Sequence, residues 1–99
     1  MSDDVDAERL HALLESQHDF PGPFSFKVIY KNEPGQAAVL LEAVCSATGL
    51  PHPDAEPKHR TSSGSRFKSM TFDLEVRGAQ DVLDVYAVLQ GIESVISCF

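Results

Sequence analysis

The sequence predicts an α+β fold in which a four-stranded antiparallel sheet carries two helices on one face, preceded by a short extra helix. Three observations lead to this fold class. Two segments alternate apolar and polar residues, which is typical of half-buried strands. Two others repeat apolar residues at helical spacing. The length of 99 residues and the hydrophobic fraction of 42% fit one ordinary globular domain.

The first predicted element is a short helix from Asp6 to about Gln17. Acidic residues crowd its start, where they complement the helix dipole. The helix is too short to be stable alone, so its apolar face must dock on another element. That face carries Leu10, Leu13 and Leu14. We therefore divide the chain into an acidic extension, residues 1–19, and a main domain, residues 20–99.

The main domain opens with a strand and a helix. Phe24–Tyr30 alternates apolar and polar residues, and Pro34 suits the first turn of the helix that follows. This helix is expected to continue to Thr48, with Gly49 capping it in a left-handed conformation. Its expected buried stripe is Val39, Leu40, Ala43, Val44 and Ala47.

Residues 58–76 are expected to form a β-hairpin around a two-residue turn at Ser63-Gly64, with Gly64 supplying the positive φ. In that register Arg60 pairs with Phe67 and Lys58 with Ser69. A second helix follows Gly78. Its buried face is predicted to contain Val82, Val85, Tyr86 and Leu89. Residues 92–99 complete the chain as a last strand.

The order after the first helix is therefore β-α-β-β-α-β. This order folds most simply as a ferredoxin-like sandwich, with each crossover connection right-handed. Such a sheet is covered by helices on one side only, and Ile29, Phe67 and Ile96 are candidates for the uncovered side. Either the N-terminal leucine helix or a second subunit is expected to cover these apolar residues, so a homodimer is one of the expected arrangements.

Composition excludes several functional classes. No apolar run approaches the roughly 20 residues of a membrane span, and the acidic N-terminus does not resemble a secretory signal. Cys45 and Cys98 lie far apart and are expected to be reduced thiols, so we expect a cytoplasmic location without membrane association. The formal charge of −7 makes nucleic-acid binding an unfavoured alternative.

Two motifs resemble those of a known family. The segment 20–28 contains Phe-Pro-Gly-Pro-Phe followed by Phe-Lys-Val, and the segment 60–69 reads Arg-Thr-Ser-Ser-Gly-Ser-Arg-Phe-Lys-Ser. Together with the helix at Val85-Tyr86 they resemble the YbeD-like family of short bacterial proteins, a domain of unknown function. The resemblance covers about residues 10–99. It implies a fold related to the ACT regulatory domains, which bind small effectors, and it implies no catalysis. Phe67 stands where the family typically has tyrosine.

The candidate site is the predicted hairpin. Residues 57–72 carry four basic side chains and no acidic one, in a chain that is otherwise acidic. Arginine beside hydroxyls and exposed turn amides suits a carboxylate or a phosphate. Lys58, Arg60 and Lys27 are expected on the uncovered face, and Arg66 and Lys68 toward the helices. The candidate binding residues are Lys27, Lys58, Arg60, Ser62, Ser63, Gly64, Arg66, Phe67 and Lys68.

These residues suggest a non-catalytic regulatory domain that binds a small anionic effector. The alternative is an adaptor that docks on an acidic protein through the basic hairpin. A solvated hairpin tip that only keeps a sheet edge soluble is the competing structural interpretation.

Enzymatic and metal sites are not expected. Ser62, Ser63 and Ser65 lack the strand-turn-helix setting of a nucleophile, and both cysteines fall where packing residues are expected. The loop from His52 to His59 lacks the tight spacing of a zinc site. We therefore expect no metal and no cofactor.

Overall fold

The computed structural model describes residues 2–99, with side-chain environments from residue 8 onward. Three helices and four strands follow one another in the predicted order. They are α1 (Ser2–Gln17), β1 (Gly22–Lys31), α2 (Gln36–Thr48), β2 (Lys58–Thr61), β3 (Phe67–Val76), α3 (Ala79–Gln90) and β4 (Val95–Cys98). The strands form one antiparallel sheet in the order β2-β3-β1-β4, as a ferredoxin-like fold requires. The predicted fold class is confirmed.

Several boundaries differ from the prediction. Helix α1 begins four residues earlier, at Ser2, and β1 extends over Gly22–Lys31 rather than 24–30. The last strand is shorter than predicted because Ile92 begins a turn, in which the Val95 amide donates a hydrogen bond to the Ile92 carbonyl. An irregularity in the β1–β4 pairing between Ile29 and Tyr30 follows that turn.

The core lies between the sheet and the α2–α3 layer. Alternate side chains of β1 and β3 point into it. Helix α3 contributes the predicted Val82, Val85 and Leu89, whereas Tyr86 is half-buried. The fully or nearly fully buried apolar residues of these three elements are Phe26, Val28, Tyr30, Met70, Phe72, Leu74, Val76, Ala79, Val82, Val85 and Leu89. Aromatic rings continue through the layer, since Phe26 stacks on Phe72 and meets Tyr86 edge-on, with ring centroids 5.6 and 5.5 Å apart.

The predicted buried stripe of α2 is partly wrong. Val39 is 56% exposed and Ala47 is also exposed, whereas Leu40, Val44 and Cys45 are buried. Helix α2 is apolar over most of its circumference, so two stripes with helical spacing share Leu40 and Val44. Packing against α3 and the sheet selects the stripe that includes Cys45. The predicted cap is confirmed, because Gly49 is left-handed and its amide donates to the Cys45 carbonyl.

The hairpin between β2 and β3 has a different register from the one predicted. Arg60 pairs with Ser69 and Lys58 with Thr71, a shift of two residues. The predicted turn at Ser63-Gly64 is wrong because the connection is longer, and the left-handed residue is Ser65, with φ of 58°, rather than Gly64. A shift by two residues keeps each side chain on the same face of the sheet.

Helix α1 packs against α3, on the helical side of the molecule. Leu14 contacts the core, while Leu10 and Leu13 remain 45% and 49% exposed. Helix α1 therefore does not cover the other side of the sheet, which was one of the two coverings expected. We call that side the open face. Its residues on the two central strands are Pro23, Ser25, Lys27, Ile29, Lys31, Phe67, Ser69, Thr71, Asp73 and Glu75.

Candidate functional site

A shallow cavity of about 250 Å³ lies on the open face where β1, β3 and β2 run side by side. The strand register places Lys27 opposite Thr71 and Ile29 opposite Ser69, and Ser69 in turn is opposite Arg60. Three neighbouring strands thus contribute to one concave surface. Its lining residues are Lys27, Ile29, Arg60, Thr61, Ser62, Phe67, Lys68 and Ser69. We call this cavity the basic pocket.

The basic pocket combines apolar contact surface with positive charge. Ile29 is half-buried and Phe67 is 38% exposed, so both offer apolar surface to a ligand. Lys27 and Arg60 are exposed, and neither forms an ion pair with any residue in the part of the chain whose side chains are described. No carboxylate lines the cavity. A small anion with an apolar portion matches this arrangement.

The hairpin tip beside the basic pocket is held by its own hydrogen bonds. The Ser62 amide donates to the Phe67 carbonyl at 2.9 Å, and the Phe67 amide donates to Ser62 Oγ at 3.1 Å. Asn32, just after β1, donates its amide to the Arg66 carbonyl and its side-chain Nδ2 to the Ser65 carbonyl, both at 2.9 Å. These bonds fix the position of Phe67 at the edge of the cavity.

The structure brings together five of the nine sequence-predicted site residues and leaves four outside. The five that line the basic pocket are Lys27, Arg60, Ser62, Phe67 and Lys68. Lys58 lies one row further along the open face, opposite Thr71, so it flanks the cavity without lining it. The other three are in the hairpin connection beyond the cavity, namely Ser63, Gly64 and Arg66. Lys68 was expected to point toward the helices, and its position opposite the buried Tyr30 agrees with that, although the residue also borders the pocket.

Three lining residues were not among the predicted site residues. Ile29 and Ser69 share the parity of Lys27 and Phe67 along their strands, so the alternating pattern could have identified them. Thr61 has the opposite parity and stands at the end of β2, so the alternating pattern does not indicate it. The sequence contains no signal for that position.

The two thiols have the surroundings of packing residues. Cys45 is buried, and burial, followed by the charge of Glu42, raises the pKa of its thiol. Burial also raises the pKa of the Cys98 thiol, although a hydrogen bond with Gln90 partly opposes this effect. Both environments disfavour the reactive thiolate.

The proline-containing loop after α2 is held by a local polar contact. His52 Nε2 lies 3.2 Å from Glu42 Oε2 on α2. The described residues contain no group of three or more histidine, cysteine, aspartate or glutamate residues placed to hold a metal ion. Across residues 2–99, no helix has the length and apolar content to cross a membrane.

Comparison with known proteins identifies the family of this chain. The family described as "Protein of unknown function (DUF493)" matches residues 15–99, which include the whole sheet, α2, α3 and the basic pocket. A search of curated proteins finds no match. The matched segment agrees with the resemblance carried by the motifs at 20–28 and 60–69. The chain belongs to the DUF493 family of YbeD-like domains of unknown function.

Proposed function

We propose that this protein is a non-catalytic regulatory domain that binds a small anionic effector in the basic pocket. The observation that carries the proposal is the pairing of Lys27 and Arg60, two cations without a described ion-pair partner, beside the apolar surface of Ile29 and Phe67. A charge-assisted hydrogen bond to a carboxylate or phosphate is about twice as strong as a neutral one. Both cations can therefore contribute directly to affinity.

The size of the basic pocket limits the effector. Pockets for drug-sized ligands typically occupy about 300–1,000 Å³, and this cavity of about 250 Å³ lies below that range. An amino acid or a small organic acid with a short apolar portion is the class that suits it. Lys27 and Arg60 would hold the carboxylate, and Phe67 would cover the apolar portion.

Two further observations support a role in binding rather than catalysis. The pocket lining contains cations and hydroxyls but no histidine, cysteine or carboxylate that could act as a general base. The chain's two thiols are free and have pKa values raised by burial. Unpaired thiols also support a cytoplasmic location, which we include in the proposal.

Chemical-shift mapping by NMR tests the proposal directly. The ¹⁵N-labelled chain is titrated to millimolar concentrations with a panel of amino acids, organic acids and nucleotides. We expect the amide signals of Ile29, Arg60 and Phe67 to shift with at least one organic acid or amino acid. Titrations in which the whole panel leaves these signals unmoved would refute the proposal.

Two matched variants test whether the binding free energy comes from cations that line the pocket or from the basic hairpin in general. Arg60→Gln removes a cation that lines the basic pocket, and we expect it to weaken binding of the selected anion about tenfold, the equivalent of about 1.4 kcal/mol. Lys58→Gln removes a cation from the same strand but outside the cavity, so it should weaken binding less than about threefold. Equal losses in both variants would indicate unspecific attraction to the basic hairpin.

An adaptor function is the second candidate. Lys58 and Arg66 are exposed, lie outside the basic pocket and make no ion pair with any residue whose side chain is described. A large acidic protein could contact them together with Arg60, whereas a small effector could not reach Arg66.

A pull-down from lysate, repeated with two charge reversals, separates the two functions. An adaptor predicts that a partner is recovered by the unaltered chain and lost with both Arg60→Glu and Arg66→Glu. Recovery unaffected by these changes would exclude this version. An effector site predicts that Arg66→Glu leaves small-anion binding nearly intact.

A further inference from the structure

The open face exposes apolar residues that nothing in the described chain covers. Phe67 is 38% exposed at one end of the face, and Phe99 is 59% exposed at its β4 edge. Phe99 belongs to the sheet, since its amide and carbonyl exchange hydrogen bonds of 2.8 and 2.9 Å with the backbone of Lys27. Helix α1 is packed on α3 and does not reach these residues. The face therefore presents apolar surface available to a partner.

The charges on the open face are separated along the strands. The pairing of β2 with β3 places Arg60 level with Ser69 and Lys58 level with Thr71, and Lys27 is also level with Thr71. Together with Lys31, which is exposed and level with Phe67, these three cations form the basic end of the face. Asp73 and Glu75 follow on β3, level with Ser25 and Pro23, and form the acidic end. From Ser69 to Glu75 the strand advances about 20 Å, and the sign of the charge changes between Thr71 and Asp73, which are about 7 Å apart.

The neighbouring loop strengthens the acidic end. A cavity of about 200 Å³ beside β3 is lined by Asp73 and Glu75 together with residues 51–55, and Asp54 adds a third carboxylate there. Asp73, Glu75 and Asp54 are all exposed. None of them forms an ion pair with a residue in the described part of the chain. The face thus carries unpaired charge of opposite sign at its two ends.

We infer that a second copy of this chain covers the open face, with the two sheets packed face to face around a two-fold axis that runs across the strands. Such an axis reverses the direction along the strands, so the basic end of each copy meets the acidic end of the other. A two-fold axis parallel to the strands would instead place basic end on basic end. The charge pattern therefore selects both the partner and its orientation.

The expected dimer is weak and sensitive to salt. The two central strands of ten residues are about 30 Å long, and the two outer strands of four residues widen the sheet to about 15 Å over only part of that length. Each copy would therefore bury less than about 450 Å², an area typical of weak and transient interfaces. The ion pairs lie near solvent, where salt screens them over about 10 Å at 0.1 M. We therefore expect dissociation constants in the micromolar range at low salt, and dissociation as salt rises.

This inference does not rest on the proposed effector function, because the dimer is measured without any ligand. The two proposals use Lys27 and Arg60 in different ways. The chain can remain monomeric while an anion still binds it, and the dimer can form although the pocket binds no anion. The separate experiments therefore distinguish the failure of one from the failure of the other.

Complementary charge reversal tests the dimer. The acid variant carries Lys58→Glu and Arg60→Glu, and the base variant carries Asp73→Lys and Glu75→Lys. Sedimentation velocity at about 100 µM protein and low salt should show a dimer, twice the chain mass of 10.8 kDa, for the unaltered chain. We expect each variant alone to be monomeric, because like charges then meet at both ends. An equimolar mixture of the two should restore the dimer.

The mixture makes the test independent of folding, because a variant that failed to fold would not recover a partner. A control with Glu42→Lys and Asp84→Lys changes the charge by the same amount as the base variant, on exposed positions of the helices, and should remain dimeric. An unaltered chain that stays monomeric at low salt overturns the inference. Dimers that persist in both variants, or a mixture that stays monomeric, also overturn it.

Discussion

At the scale of single residues, Tyr30 places a polar group in an apolar core. Its side chain is 1% exposed, and its hydroxyl has no hydrogen-bond partner among the described residues. Burial raises the pKa of this phenol above its usual value. A buried hydroxyl without a partner costs free energy on folding. We therefore predict that Tyr30→Phe raises the free energy of unfolding by about 1 kcal/mol, measured by urea denaturation.

The matched control is Tyr86→Phe. Tyr86 is half-buried, and its hydroxyl is not among the buried polar groups that lack a hydrogen-bond partner. This change should therefore alter the free energy of unfolding by less than about 0.5 kcal/mol. Destabilisation of Tyr30→Phe by about 1 kcal/mol would show that the hydroxyl is satisfied in solution, for instance by an internal water molecule.

A second residue-scale prediction concerns the hairpin connection. Ser65 adopts a left-handed conformation with φ of 58°, which costs an L-residue about 1–2 kcal/mol and glycine almost nothing. Replacing Ser65 by glycine removes that cost, but part of the stabilisation is lost because glycine also makes the unfolded chain more flexible. Ser65→Gly should therefore raise the free energy of unfolding by about 0.5 kcal/mol.

Gly64 provides the contrast for that experiment. Its φ lies outside the left-handed region, and a Cβ added there would meet no atom within 4 Å. Gly64→Ala should therefore be neutral or slightly stabilising, although the sequence marks this glycine as the turn residue. The pair is compared by thermal unfolding. A loss of stability in Ser65→Gly would contradict the assigned turn geometry.

At the scale of elements, the sequence predicted which faces are buried better than it predicted turns and registers. The alternation in β1 and β3 places Phe26, Met70 and Phe72 at positions of one parity, and all three are buried because each strand has one buried face and the period is two. Turn length carries no such periodic signal, so the hairpin register was wrong by two residues. The same shift preserved the faces, which is why Arg60 and Phe67 were still placed together.

The start of α3 shows an element-scale interaction that the sequence did not reveal. Asp81 is 7% exposed and accepts three hydrogen bonds from Arg77, one from its backbone amide and two from its guanidinium, at 2.8–2.9 Å. These bonds, the guanidinium ones foremost, hold the pKa of the Asp81 carboxyl below its usual value. The carboxylate also complements the positive end of the helix dipole. It therefore ties the end of β3 to the first turn of α3.

Asp81→Asn should lower the free energy of unfolding by about 1–2 kcal/mol at pH 7. Because the folded-state pKa is depressed, the contribution of Asp81 is fully present above the ordinary carboxyl pKa and is lost as pH falls through the folded value. The difference in free energy of unfolding between the variant and the unaltered chain, measured by urea denaturation, should thus become smaller below about pH 4. Asp84→Asn is the control, since Asp84 is exposed and accepts one bond from Gln80. A difference in free energy of unfolding that does not change with pH would contradict this role of the Asp81 carboxylate.

At the scale of the whole molecule, an effector and a second copy would compete for the same open face. The basic pocket contains Lys27 and Arg60, and the proposed dimer would place the acidic end of the partner against these cations. A bound anion removes the charges that the partner needs, so the two binding events oppose each other by linkage. Effector concentration would then control the fraction of dimer.

This coupling predicts the effect of citrate, a small polyvalent organic acid, on the dimer. At equal ionic strength, 10 mM citrate should raise the dimer dissociation constant at least about threefold relative to sodium chloride, since citrate acts at the pocket as well as by screening. Sedimentation equilibrium in the two buffers measures the difference. In Lys27→Gln, the extra increase of the dimer dissociation constant in citrate should become smaller, because one cation of the pocket is gone. The increase caused by sodium chloride should persist. Identical dissociation constants in both salts, or a tighter dimer in citrate, would contradict competition at this face.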